Sequence, residues 1–115
     1  MIVRNLTRGT TLATSATAAG NLPSRGIGLL GRRDLPAGEG LLIVPCQSIH
    51  SCFMRFRFDA VFFDRDHRVR HLIEAMPPWR FSRHVWRARG VLELPAGTIA
   101  ATGTERGDQL ALEDL

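Results

Sequence analysis

Lysine and tyrosine are absent from this 115-residue chain, and cysteine occurs only twice. Without lysine, all 15 fixed cations are arginine guanidiniums, which bind carboxylate and phosphate through a planar fork that ammonium cannot match. GC-rich arginine codons contribute to such a bias, so the bias alone does not assign a purpose. No segment approaches the roughly 18 apolar residues of a membrane-spanning helix. The opening Met1–Arg8 carries its charges too close to any apolar run for a secretory leader, and Thr10–Ala19 is too polar for one. These absences predict no membrane partner and a cytoplasmic location. Cys46 and Cys52 lie six positions apart; on one strand that is a rise of roughly 20 Å, beyond disulfide reach, so both are expected to be reduced.

What is present is ordinary in bulk. The apolar share is 44% and the charged share 23%, as in globular proteins, and the net charge is +4. The length predicts one compact domain over residues 1–115 with one modest core. Ile2–Leu6 reads as a strand, and Thr10–Ala19 alternates as a second. Asn21-Leu22-Pro23-Ser24 is a helix-start signal for a short helix ending at Gly31. Gly40–Val44 is a continuous apolar run suited to a strand covered on both faces, followed by strands at Ser48–Phe53 and Phe58–Phe63. Asp64–His67 turns the chain into Arg68–Glu74, the clearest hairpin. Met76–Arg89 lacks a period and reads as a surface connection pinned by Trp79, Phe81 and Trp86. Gly90–Leu94 is a strand, Thr98–Thr102 a short helix and Gln109–Leu112 the last strand. The predicted class is mainly β, a β-sandwich or distorted barrel with one or two short helices.

Five ordered pieces carry a family resemblance: R-x-x-G-L-L-G-R (Arg25–Arg32), G-E-G-L-x-I-x-P-C (Gly38–Cys46), I-H-S-x-F-M-R-F (Ile49–Phe56), D-A-V-F-F-D-R-D (Asp59–Asp66), and L-E-L-P-A-G with G-D-x-L (Leu92–Leu110). The chain resembles Domain of Unknown Function family 192 over nearly its whole length. That resemblance implies a small β-sandwich or barrel-like fold with short helices and implies no activity. Many relatives carry export signals, and this sequence predicts none. Ser51, Cys52 and Arg57 stand where relatives often have Thr, an aromatic and Pro. His67 occupies a turn position that usually holds Gly; a positive φ there would cost on the order of 1 kcal/mol.

Chemistry-bearing residues centre on His50. Cys46, Ser48, His50, Cys52 and Met54 share strand parity, but their spacing matches no common zinc pattern, so no metal or other cofactor is expected. His50 oriented by Asp59 has the outline of a general acid or base, yet no nucleophile motif accompanies it. Glu93 alternates away from Leu92 and Leu94 and faces either solvent or a buried arginine such as Arg32. The main expectation is a non-enzymatic binding or accessory module. It would hold an anionic ligand or an acidic protein segment near His50, Arg55, Asp59, Arg25 and Arg32. One alternative is a small enzyme using His50 with Asp59. Another is nucleic-acid binding through the Arg55–Arg89 surface, with Trp79, Arg80, Phe81, Arg83 and Trp86 stacking on bases.

Overall fold

The computed structural model describes residues 1–19 and 34–114. Its architecture follows from the strand Phe58–Phe63 (β5), whose six residues are all buried. A strand apolar on both faces must be covered on both. It lies inside a five-stranded sheet together with Ser15–Ala19 (β3), Glu39–Ile43 (β4), Val69–Met76 (β6) and Gly90–Pro95 (β7), in the order β3-β4-β7-β5-β6. β3 and β4 run parallel, and the other neighbours are antiparallel.

One face is covered by a three-stranded antiparallel sheet of Ile2–Asn5 (β1), Thr10–Ala13 (β2) and Leu110–Glu113 (β8), in the order β2-β1-β8. Between the sheets lie Val3, Leu12, Val61, Phe63, Leu92, Leu94 and Leu110, with Ile99 from the helix Thr98–Thr102 (α1). The two sheets meet at one edge through an Arg68–Gln109 bridge but do not close into a barrel. The mainly β class and the short Thr98–Thr102 helix agree with the sequence reading. The expected helix from Asn21 to Gly31 lies outside the described residues.

Three expectations are corrected. Thr10–Ala19 is two strands, because Thr14 and Ser15 both donate their N–H groups to the Gly38 carbonyl at 2.9 Å and the chain steps from one sheet into the other. Gly38 has φ 85°, and a Cβ there would sit 2.8 Å from Thr14 Oγ1, so glycine is required at that step. Ser48–Phe53 is no ladder strand; only His50 forms a bridge, to Phe81, and Phe53 at φ 68° ends the extension. Trp79, Phe81 and Trp86 pin nothing: all three are exposed, and Val85 and Ala88 are the buried anchors of that segment.

Asp59 ties three elements together. β6 carries an irregularity opposite Asp59, with Ala75 at φ 48°. The fully buried Asp59 carboxylate accepts the Ala75 N–H at 2.8 Å with one oxygen and the Ile99 N–H at 2.8 Å with the other. α1 has Gly97 as its N-cap and no side-chain cap of its own, so a strand residue supplies the missing acceptor. At the far end of the sandwich, buried Asp108 accepts from Asn5 Nδ2 at 2.9 Å, Arg8 Nε at 3.0 Å and the Glu105 N–H at 2.9 Å, holding the turn before β8 against β1.

Asp59→Ala leaves two buried N–H groups without acceptors. The expected loss is roughly 3 kcal/mol or more from two charge-assisted bonds, read as the midpoint of a urea melt.

Candidate functional site

Residues 45–57 and 77–89 form an irregular layer over the outer face of the larger sheet. Beneath it Met54, Val85 and Ala88 pack on Phe58, Phe62, Met76 and Val91. Ser51, fully buried, joins the two segments. Its N–H donates to the Arg80 carbonyl at 2.8 Å, and its carbonyl accepts the Trp79 N–H at 3.0 Å. Its Oγ donates to the Pro77 carbonyl at 2.5 Å and accepts the Arg80 N–H at 2.9 Å. The pairing continues through Ile49 with Ser82 and through Gln47 with the Val85 N–H, each contact 2.8 Å.

The outward side of this layer is unusual. Phe53, Trp79, Phe81 and Trp86 are 57–78% exposed, and the Phe53 and Trp79 ring centroids lie 4.6 Å apart. Phe53 and Trp79 also hold φ of 68° and 65°, the left-handed region that bulky side chains avoid at a cost of order 1–3 kcal/mol. Both segments contain arginine and no carboxylate: Arg55, Arg57, Arg80, Arg83, Arg87 and Arg89 lie here, and all 11 acids lie elsewhere. The rest of the chain thus holds nine arginines against those 11 acids, and the net charge of +4 originates in this layer.

The predicted residues distribute unevenly. His50 is exposed on this surface; its Nδ1 accepts the Cys52 N–H at 3.2 Å, and its ring lies 6.0 Å from that of Phe81. Arg55 is exposed in the same layer. Asp59 is not part of it, because both carboxylate oxygens serve Ala75 and Ile99, and it makes no hydrogen bond to His50. His50 and Asp59 therefore form no acid–base dyad. Arg25 and Arg32 lie outside the described residues. Among the described residues no three His, Cys, Asp or Glu side chains converge as metal ligands do, and no helix is long and apolar enough to cross a membrane. Cys46 and Cys52 are not disulfide-linked.

Beside the layer opens a cleft of about 1100 Å³. One wall is the β5–β6 turn, Asp64 to His67, and the other is formed by Pro45 to Gln47 and Arg87 to Arg89. His67 and Arg87 hold φ of 62° and 64°, so both walls carry a side chain in the left-handed region. Sequence reasoning singled out His67 for its turn position but did not bring it together with Arg87, since twenty positions and the strand β6 separate them. The only local signal was a non-glycine residue at a turn that favours glycine.

With this geometry in view, the comparisons are consistent. The family model of Domain of Unknown Function 192 (DUF192, uncharacterized ACR) matches residues 3–112. The chain belongs to the DUF192 family. It is 31% identical to the UPF0127 protein PF1050 of Pyrococcus furiosus over 111 residues, covering 92% of this chain and 93% of that one. Its fold matches a protein of unknown function from Novosphingobium aromaticivorans with a TM-score of 0.82 at 19% identity, over 96% of this chain and 82% of the other. It also matches a chain from Sinorhizobium meliloti described as a "putative transcription regulator", with a TM-score of 0.79 at 25% identity, over 96% and 89%.

This DUF192 chain also buries an ionisable group that has no counter-charge among the described residues. Glu93 is 5% exposed on β7, an interior strand, between Leu41 of β4 and Ala60 of β5, and it makes no hydrogen bond or ion pair among the described residues. The solvated position is replaced by a buried one; Arg32, the expected partner, lies outside the described residues. Burial pushes its pKa from 4.5 up to about 7.

Two outcomes follow from these contacts. Between pH 4.5 and about 7 the folded chain keeps a proton that the unfolded chain releases. Stability is therefore greatest below the lower value and falls by about 3 kcal/mol across the interval. Glu93→Gln removes that slope and is the more stable protein at pH 8, as a series of urea melts at different pH values reads directly. Ser51→Ala strands the Pro77 carbonyl and the Arg80 N–H, costs about 1–3 kcal/mol, and increases amide exchange first in residues 77–85.

Proposed function

We propose that this DUF192 chain is a non-enzymatic binding module whose outward layer, residues 45–57 and 77–89, docks an acidic segment of a partner protein. One observation carries the reading. Phe53 and Trp79 are large, exposed and held at positive φ, so they burden the fold twice, and glycine would relieve the backbone at either position. Side chains that cost stability where they stand are accounted for by what they contact in a partner. Around them the composition is that of a protein interface core, with tryptophan, phenylalanine and arginine present and lysine, aspartate and glutamate absent. The missing carboxylates leave the guanidiniums of Arg55, Arg80 and Arg83 without counter-charges among the described residues, and these complement an acidic chain. His50 sits among them as a polar contact beside Phe81. The setting is cytoplasmic, which two unlinked thiols suit.

Single-stranded nucleic acid is the second reading. It is favoured by the likeness to the Sinorhizobium chain described as a "putative transcription regulator" and by the stacking capacity of exposed rings. The acidic-segment reading is preferred because the exposed rings are interleaved with arginines on a layer whose two segments are paired through Ile49, Ser51 and Gln47.

The test uses a fluorescein-labelled oligoglutamate peptide containing leucine, with a single-stranded oligonucleotide in parallel. Binding of the peptide is expected to weaken at least tenfold in Arg80→Gln/Arg83→Gln and in Trp79→Gly. The melting temperature of Trp79→Gly stays level or rises, since glycine adopts φ 65° freely. Oligonucleotide binding that falls steeply with salt, with no peptide binding, transfers the surface to the second reading. Peptide binding that ignores both variants overturns the proposal.

A further inference from the structure

One edge of the layer, Pro45–Gln47 and Arg87–Arg89, faces the β5–β6 turn across a cleft that contains none of the exposed phenylalanine or tryptophan rings. Its walls are fixed by backbone hydrogen bonds. The Asp64 N–H donates to the Arg68 carbonyl at 3.0 Å and the His67 N–H to the Asp64 carbonyl at 2.9 Å, closing the turn. β8 braces the turn from behind through the Leu110 N–H on the His67 carbonyl and Gln109 Nε2 on the Asp66 carbonyl. Across the cleft, the Arg89 N–H donates to the Phe63 carbonyl at 2.7 Å, and the Arg89 carbonyl accepts the Cys46 N–H at 3.0 Å. Next to it Gly90 leaves no room for a side chain, since a Cβ would lie 2.7 Å from the Ile43 carbonyl oxygen. Arg89 is therefore held by backbone hydrogen bonds on both sides of its residue.

The charges are sorted as well. Arg65, Arg87 and Arg89 line the cleft and form no ion pair among the described residues. Asp64 offers them nothing: one oxygen accepts the Asp66 and Arg68 N–H groups, and the other pairs with Arg70. Asp66 is the one lining carboxylate with no hydrogen bond or ion pair of its side chain among the described residues. His67 presents its ring edge-on to Phe63 with the centroids 5.8 Å apart. The cleft thus offers three guanidiniums without an ion pair among the described residues, one acceptor carboxylate and far more room than a single phosphate fills, with strained backbone on both walls.

We infer that the cleft between the β5–β6 turn and Arg87–Arg89 binds a small phosphorylated molecule bearing hydroxyl groups, of the sugar-phosphate or nucleotide class. Arg65, Arg87 and Arg89 take the phosphate through forked hydrogen bonds, and Asp66 accepts from the hydroxyls. No bond is made or broken.

Amide chemical shifts of the full chain, titrated with inorganic phosphate, ribose 5-phosphate and ribose, test this. Ribose 5-phosphate is expected to shift residues 46–47, 64–68 and 87–89 and to bind more tightly than inorganic phosphate. Ribose alone shifts nothing. Arg87→Gln/Arg89→Gln, both exposed and outside the core, weakens ribose 5-phosphate at least tenfold, and Asp66→Asn reduces its advantage over inorganic phosphate. Arg55→Gln/Arg80→Gln on the aromatic face changes neither. Absence of shifts at millimolar ligand overturns the site, and equal affinity for phosphate and ribose 5-phosphate overturns the ligand class. Loss of binding only in the aromatic-face variant also overturns the site, while leaving the docking of an acidic segment intact.

Discussion

A strand buried on both faces sets the terms for everything around it. β5 has no solvent side, so the chain must provide two covers. It does so by different means: the three-stranded sheet on one face, and the irregular layer of residues 45–57 and 77–89 on the other. The first cover satisfies its backbone through ladders. The second lacks a ladder and satisfies its backbone piecemeal, through Ser51, Ser82 and single bridges. This difference explains the molecule's asymmetry. A regular cover spends its backbone polar groups inside the sheet, whereas an irregular one can turn large side chains outward while small ones seal the apolar face.

Buried polar side chains sit where regular structure fails. Asp59 stands opposite the irregularity in β6 and beneath the uncapped start of α1, Ser51 where the outer segments cross, and Asp108 where the last turn meets β1. Each supplies hydrogen bonds that a ladder or helix would otherwise have provided. Glu93 is the exception. It lies within a regular strand whose backbone is paired on both sides, and its carboxyl serves none of those groups. The other buried acids are explained by their partners; Glu93 has none among the described residues, and burial raises its pKa.

Residue pattern alone revealed the elements whose causes are local. The FDAVFF run, the Asp64–His67 turn, the Thr98–Thr102 helix between glycines and the last strand are encoded within a few residues of themselves. The division of Thr10–Ala19 was hidden, because its alternation continues through Thr14 and the break comes from Gly38, twenty-four positions away. The outer layer was misread for a related reason. Aromatic side chains normally anchor a loop, and only the paired arrangement about Ser51 decides that Val85 and Ala88 face inward while Trp79 and Trp86 face outward. Of the candidate site, His50 and Arg55 were legible as polar residues in an otherwise apolar run. Asp59 was legible as important but not in its role, since two backbone donors from distant elements claim it. The cleft was illegible because its walls come from three separate stretches.

The pairing of β1 with β8 sets Ile2 opposite Glu113, so the first and last strands complete one sheet. During synthesis on a ribosome, β1 and β2 must wait for the whole stretch from Ala13 to Leu110 before their third strand arrives. Until then the apolar side of β5, β7 and β4 that faces them lacks its finished cover. Pairing between segments so far apart in sequence carries a large loop-closure cost, so this sheet has the long-range topology that folds slowly.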